Sequence, residues 1–233
     1  MLFPFSRGNA GFAKQKPERG LEGMGYNTYM SYIAFPGCFN PPTYTHFAIA
    51  NYVSEYFKGA KIIFIPVSDK YSKWHLVPSL HRIKMLKLVK NKNFIISDIE
   101  SKSVIQPKTI ETLAKLNKKN IRLLIGSDNL LNLKTWYKYE ELIVKYNPII
   151  VERGHDDASK IIETYYKKYA KHFDVIKGII HSDDSSTFIR ENIKKDFSCH
   201  YYLPDAIIKY IKVNHLYEQN NQSDSKILQR EQF

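Results

Sequence analysis

Short apolar runs alternate with amphipathic helical patterns along most of the chain. The apolar runs are of strand length, rich in Ile, Val and Phe, and bounded by polar or turn-forming positions. Such nearly continuous apolar runs are typical of parallel strands that are buried on both faces. The predicted strands are Tyr29–Phe35, Lys61–Val67, Phe94–Asp98, Ile121–Gly126, Pro148–Glu152 and Asp174–His181.

Helical periodicity fills the segments between these runs. In Thr45–Phe57, one face carries His46, Ile49, Ala50, Val53 and Phe57, a spacing that repeats with the helical turn. The same periodicity predicts helices over Leu80–Val89, Ile110–Leu116 and Ala158–Phe173. Strand–helix alternation predicts an α/β fold in which helices cover both faces of a parallel sheet. Ligands of such sheets bind outside the carboxyl ends of the strands, so residues that follow a strand are candidates for chemistry.

The segment after the first predicted strand has the features of a phosphate site. Gly37 lacks a Cβ, so we expect a sharp turn there and close approach of a nucleotide to the backbone. Thr43 is a favourable N-cap, and the free N–H groups beyond it attract anions. His46 lies one turn into the helix. An isolated histidine there would more often be a helix-face residue with no role. The helix dipole disfavours a charged imidazole at this end, so we expect a neutral ring that donates one N–H.

A second helix start lies near the other end of the chain. The hydroxyl residues Ser185, Ser186 and Thr187 precede Ile189 and Arg190. An ordinary Ser/Thr cap would explain the hydroxyls, but a guanidinium beside free helix N–H groups is well suited to triphosphate oxygens.

Together these segments resemble the G-x-F-[DN]-P-x-[HT]-x-x-H and I-S-S-T-x-I-R motifs of nicotinamide/nicotinate mononucleotide adenylyltransferases. This resemblance implies a Rossmann-like nucleotidyltransferase fold and adenylyl transfer from ATP to a pyridine mononucleotide. It implies that His46 and Arg190 are catalytic. The residues that it implies bind ATP in the two segments are Gly37, Cys38 (through its backbone N–H), Phe39, Asn40, Thr43, His46, Ser186, Thr187 and Arg190.

Weaker matches extend the resemblance over about residues 30–217. The run from Pro66 to Lys73 is similar to a P-V-x-D-x-Y-x-K segment, which implies that Lys73 reaches a phosphate. Gly126 and Asp128 lie in an I-G-x-D-x-L segment and are expected to contact the ATP ribose. A T-W-x-x-Y-E run contains Trp136, which is expected to stack on the pyridine ring, and Thr109 is expected in the same mononucleotide site.

The composition narrows the range of binding partners and cellular compartments, but it does not decide the function. A net charge of +12 suits an anionic substrate, and because the excess is scattered lysine we regard nucleic acid as an unlikely partner. No run is long enough to span a membrane. Two cysteines without metal-ligand spacing favour a reducing compartment, so we expect a cytoplasmic enzyme, with nuclear or organellar placement left open. A homo-oligomer is compatible with the sequence.

We expect a flexible extension over residues 1–28, a catalytic domain over 29–217 and a polar tail over 218–233.

The expected reaction needs neither a general base nor a protein metal site. The 5′-phosphate of a mononucleotide is already anionic, and no residue is an obvious covalent nucleophile. We therefore expect direct in-line attack on the α-phosphate, with Mg²⁺ held by ATP phosphates and water. Two alternatives stay open: another H-x-x-H nucleotidyltransferase, such as a pantetheine-phosphate adenylyltransferase or a cytidylyltransferase, and a basic nucleic-acid-binding module.

Overall fold

A computed structural model describes residues 31–71, 76–154, 156–178 and 185–218. Six parallel strands form one sheet in the order β3-β2-β1-β4-β5-β6. The strands are β1 (Tyr32–Gly37), β2 (Lys61–Pro66), β3 (Phe94–Ile96), β4 (Ile121–Gly126), β5 (Ile149–Val151) and β6 (Asp174–Ile176). The predicted parallel α/β fold is confirmed. The predicted extension over residues 1–28 and the tail beyond residue 218 lie outside the described residues.

Helices cover both faces of the sheet, as the sequence predicted. They are α1 (Tyr44–Tyr56), α2 (Ser79–Leu88), α3 (Thr109–Leu116), α4 (Ser127–Asn132), α5 (Tyr139–Tyr146), α6 (Ala158–Tyr165), α7 (Ser186–Lys194) and α8 (Asp205–Val213). Within the described ranges, no helix is long and apolar enough to cross a membrane.

Alternation along the strands creates two hydrophobic cores. In β1, Ile33 and Phe35 enter one core while Ala34 enters the other, because successive side chains of a strand point to opposite faces. Helices α1, α2, α7 and α8 contribute to the first core, and helices α3 to α6 to the second. Both faces are therefore buried, which explains why the strands are apolar throughout.

One predicted helix is wrong in its extent. The periodic segment Ala158–Phe173 forms α6 only to Tyr165, and a 3-10 helix follows over Lys167–His172. Between them, Tyr166 leaves the helical conformation, and its buried hydroxyl donates to the carbonyl of Leu130 at 2.8 Å. This tertiary hydrogen bond and the burial of the ring outweigh the local tendency to continue one helix.

Candidate active site

A cleft of about 570 Å³ opens at the carboxyl ends of the strands. It lies where the strand order reverses between β1 and β4, the usual ligand position in open parallel sheets. Every predicted site residue in the described part of the chain lines it: Gly37, Cys38, Phe39, Asn40, Thr43, His46, Thr109, Gly126, Asp128, Trp136, Ser186, Thr187 and Arg190. Lys73 lies outside the described residues, so its role stays a prediction.

Direct hydrogen bonds join the two phosphate segments. The Arg190 guanidinium donates from Nη1 to the carbonyl of Asn40 at 2.9 Å. The Ser186 hydroxyl donates to the carbonyl of Pro41 at 3.0 Å. The start of α7 is thereby fixed against the loop that leads into α1, so the two segments form one wall of the cleft.

Thr43 and His46 form a reciprocal cap that determines the protonation of the imidazole. The backbone N–H of Thr43 donates to His46 Nδ1 at 3.0 Å, and the Thr43 hydroxyl lies 2.7 Å from the same nitrogen. Because a backbone N–H can only donate, Nδ1 is the acceptor and the neutral ring carries its proton on Nε2. Nε2 makes no hydrogen bond within the described part of the chain. The predicted N-cap at Thr43 is confirmed.

The surroundings of His46 keep it neutral. Burial lowers its pKa to about 3, and the positive charge of Arg153 acts in the same direction. The buried Phe39 ring contacts the imidazole edge-on, with 5.2 Å between ring centroids. The imidazole is therefore a fixed neutral donor at neutral pH, which agrees with the expectation from the helix dipole.

The turn after β1 differs from the one expected. The left-handed residue is Phe39, with φ of 48°, and not Gly37. A Cβ on Gly37 would lie 2.9 Å from the Phe39 ring. The absence of a Cβ at Gly37 thus leaves space for the Phe39 ring, which in turn packs against His46.

The amide side chain of Asn40 holds the loop in place. Its Oδ1 accepts hydrogen bonds from the Tyr217 hydroxyl at 2.9 Å and from the backbone N–H of Val77 at 3.1 Å. Asn40 is almost fully buried, although it lines the cleft. Through Asn40, the end of the described chain supports the first phosphate segment.

A buried arginine supports the loops beneath the cleft. Arg82 is completely buried and donates to the carbonyls of Val77, Cys38 and Val67 at 2.9, 3.0 and 2.7 Å. It also pairs with Asp69 at 3.2 Å. Losing such a buried, fully bonded cation leaves several carbonyls without donors, so Arg82 fixes the loops that follow β1 and β2.

Helix α7 presents its first turn to the cleft. The Ser185 side chain caps the helix by accepting the backbone N–H of Phe188 at 3.1 Å. The N–H groups of Ser186 and Thr187 precede the first intrahelical bond and lie at the positive end of the helix dipole. Arg190 Nη2 also donates to the Thr187 hydroxyl at 3.1 Å. This end of the cleft is suited to an anion.

The cleft is lined by Thr109 and Trp136 and also by polar residues that sequence reasoning missed, among them Glu100 and Gln106. Trp136 is half-buried, and it both packs against the second core and lines the cleft. Glu100 is buried and accepts hydrogen bonds from Thr112 and Gln106, each at 2.8 Å. Burial raises the pKa of the Glu100 carboxyl.

Gly126 is the last residue of β4. The side chains of Asp128 and Arg153, which both line the cleft, lie close to it. A Cβ at this position would meet the Asp128 carboxylate, and it would lie 3.2 Å from Cδ of Arg153. The space that we expected for a nucleotide is therefore used partly by the protein itself. Arg153 lies two residues after the end of β5, so the rule that sites lie at strand ends could have found it.

No group of three or more His, Cys, Asp or Glu side chains in the described part of the chain is arranged to hold a metal ion.

The parallel sheet, the cleft at its switch point and the joined phosphate segments define a nucleotidyltransferase. The cytidylyltransferase-like family model matches residues 34–192. A probable nicotinate-nucleotide adenylyltransferase of Caldicellulosiruptor bescii is 34% identical over 198 residues, which cover 82% of this chain and 100% of the relative. The chain therefore belongs to the cytidylyltransferase-like family and, within it, to the nicotinate-nucleotide adenylyltransferases.

Further similarities agree with this assignment. A probable nicotinate-nucleotide adenylyltransferase of Methylacidiphilum infernorum is 33% identical, over 80% of this chain and 91% of the relative. The structure of Plasmodium falciparum nicotinic acid mononucleotide adenylyltransferase complexed with NaAD superposes with a TM-score of 0.69. That match is 22% identical and covers 81% of this chain and 98% of the other, so it confirms the fold.

Proposed function

We propose that this chain transfers the adenylyl group of ATP to nicotinate mononucleotide, forming the dinucleotide and pyrophosphate as a step of NAD biosynthesis. The main observation behind the proposal is that the Arg190–Asn40 and Ser186–Pro41 hydrogen bonds hold both phosphate segments together in one cleft. The names of the relatives support a pyridine mononucleotide as acceptor. Nicotinamide mononucleotide is the second acceptor to be compared.

The chemistry is a direct displacement at the α-phosphorus of ATP. An anionic oxygen of the mononucleotide 5′-phosphate forms a bond to the α-phosphorus. The bond from the α-phosphorus to the bridging oxygen breaks, and pyrophosphate leaves with the electron pair. No proton has to be removed from the nucleophile, so the task of the protein is to align the reactants and stabilise charge.

We assign His46 to the stabilisation of the α-phosphate. Its Nδ1 is occupied by Thr43, which leaves the Nε2 proton for a nonbridging oxygen. A preorganised neutral donor interacts most strongly as charge develops in the transition state. We therefore assign His46 to the reacting phosphate, and Arg190 with the first turn of α7 to the β- and γ-phosphates.

Mg²⁺ bound with ATP would add positive charge to the phosphate oxygens. We infer that this metal would be held mainly through phosphates and water, because Mg²⁺ usually keeps several waters and binds substrate phosphates. Asp128, exposed at the end of β4, is assigned to the ATP ribose, where a carboxylate accepts from hydroxyl groups.

The other end of the cleft supports the choice of nicotinate. Thr109 begins α3 and Lys108 precedes it, and both line the cleft, as does Trp136. The positive charge of Lys108 favours a carboxylate over a neutral amide. Trp136 would stack on the cationic pyridine ring.

An acceptor panel tests the proposal against the related chemistries. Purified full-length chain is incubated with Mg²⁺-ATP and, separately, nicotinate mononucleotide, nicotinamide mononucleotide or 4′-phosphopantetheine, and adenylylated products are detected by mass spectrometry. We expect product with nicotinate mononucleotide, and less with its amide. Product from 4′-phosphopantetheine alone would assign the cleft to a different acceptor.

A further inference from the structure

A buried carboxyl group, that of Glu100, lies in the loop between β3 and α3. Glu100 is only 3% exposed, although it lines the cleft. Within residues 31–71, 76–154, 156–178 and 185–218, no lysine or arginine side chain forms an ion pair with it. A buried carboxyl without an ion partner needs hydrogen bonds to offset its desolvation. Its donors therefore show which parts of the chain it holds.

Two side chains donate to Glu100, one from each side of the start of α3. Gln106 donates from Nε2 to Oε2 of Glu100, and the Thr112 hydroxyl donates to Oε1, each at 2.8 Å. Gln106 lies three residues before α3, and Thr112 is its fourth residue. Between these two donors lie Lys108 and Thr109, which both line the cleft. The carboxyl group thus holds the chain on both sides of the segment that was assigned to the mononucleotide.

The amide of Gln106 is itself fixed in one orientation. The backbone N–H of Ser68 donates to Gln106 Oε1 at 3.1 Å. Because a backbone N–H can only donate, Oε1 is the acceptor and Nε2 is the donor towards Glu100. Nε2 also donates to the carbonyl of Pro107 at 3.1 Å. The network therefore connects the loop after β2, the loop after β3 and the start of α3.

We propose that Glu100 is a positioning residue for the mononucleotide end of the cleft. Its hydrogen bonds hold the segment that carries Lys108 and Thr109, and the inference rests on the proposed adenylyl transfer. Each carboxyl oxygen serves as a hydrogen-bond acceptor, so Glu100 acts through geometry and its charge is not required. A glutamine can reproduce this arrangement, because its carbonyl accepts from Gln106 while its amide donates to the Thr112 hydroxyl. An alanine leaves both donors without their partner.

Equilibrium titrations of two Glu100 variants separate geometry from charge. Glu100→Ala should weaken binding of nicotinate mononucleotide about tenfold, the scale of a lost hydrogen bond whose buried donor stays unpaired. Its affinity for ATP, which is held at the other phosphate segments, should change less than about twofold. Glu100→Gln should bind both substrates as wild type does. Unchanged mononucleotide binding in Glu100→Ala, or a loss in Glu100→Gln as large as in Glu100→Ala, would overturn the proposal.

A second variant tests the same network from its other side. Gln106→Ala removes the donor to Glu100 and should show the same selective loss of mononucleotide affinity. It supplies the test if Glu100→Ala does not fold. Steady-state kinetics should show a raised KM for the mononucleotide in both variants, with kcat and the KM for ATP changed much less. Equal rises in both KM values would overturn the proposal.

Ser54→Ala is the control for a purely structural effect. Ser54 is also buried, and its hydroxyl donates to the carbonyl of Ala60 at 2.8 Å outside the cleft. Its loss should lower the melting temperature and leave both affinities unchanged. If Ser54→Ala weakened mononucleotide binding as much as Glu100→Ala, the proposal would be wrong. A wild-type protein that binds nicotinate mononucleotide but forms no dinucleotide would instead refute adenylyl transfer, while the titrations would still test Glu100.

Discussion

Arg190 Nη1 lies 2.9 Å from the carbonyl oxygen of Asn40, across 150 residues of sequence. The same guanidinium donates from Nη2 to Thr187, so it is held in one orientation before any ligand binds. A preorganised arginine loses little entropy on gripping phosphate oxygens. The contact therefore fixes the loop at Asn40 and also orients the guanidinium for binding a triphosphate.

Replacing Arg190 should affect ATP binding more than turnover. Arg190→Ala removes both the contact with Asn40 and the cation expected at the distal phosphates, so the KM for ATP should rise at least tenfold. Steady-state kinetics with varied ATP measure this. Lys194→Ala, on the same helix but paired with Glu191 outside the cleft, is the matched control. An unchanged KM in folded Arg190→Ala would refute the assignment.

His46 should control turnover more than affinity. Loss of one preorganised donor lowers turnover by roughly 10²–10³-fold, so His46→Ala should show that loss while its affinity for ATP changes much less. Single-turnover kinetics and direct ATP binding measure the two effects. Near-normal turnover in a folded variant would show that the imidazole does not act on the reacting phosphate.

Thr43 should act through His46. Thr43→Val keeps the shape but removes the hydroxyl that lies 2.7 Å from Nδ1, which loosens the ring and should lower turnover. Thr43→Ser retains the hydroxyl and should stay close to wild type. The Val substitution should have little further effect in a His46→Ala background, and additive losses would contradict the coupling.

The neutral imidazole of His46 should also make stability depend on pH. The folded pKa of His46, about 3, lies below the unfolded value of 6.5. The unfolded chain therefore binds more protons between these values, so stability is lost as the pH falls from 6.5 towards 3. Relative to His46→Gln, wild type should lose up to about 2 kcal/mol between pH 7.5 and 5. Denaturant titrations at both pH values measure the difference, and an unchanged difference would mean that His46 titrates normally.

Trp136 should discriminate between the two substrates. Trp136→Ala removes ring stacking worth on the order of 1 kcal/mol and should raise the KM for the mononucleotide more than that for ATP. Trp136→Phe retains a flat ring and should lose less. Equal changes in both KM values, with a lower melting temperature, would assign Trp136 to the core alone.

Local patterns predicted the sheet, the helix that carries His46 and both phosphate segments, because buried strands and helix caps leave clear sequence signals. The break at Tyr166 depends on a hydrogen bond to Leu130, 36 residues away, which periodicity does not reveal. The role of Gly37 and the position of Arg153 depend equally on distant packing. Phe39 fills the space beside Gly37, and Arg153 crosses a neighbouring strand. The short helix α5 was not predicted: its N-cap position, Lys138, is left-handed and makes no side-chain cap hydrogen bond, so no capping residue marks its start.

The stoichiometry of product formation tests adenylyl transfer at this cleft most directly. Purified full-length chain would be incubated with Mg²⁺-ATP and nicotinate mononucleotide, and the dinucleotide and pyrophosphate quantified together. Adenylyl transfer predicts equal amounts of the two products, formed by wild type and nearly abolished in His46→Ala. Formation of no dinucleotide from either pyridine mononucleotide by the folded protein would contradict it.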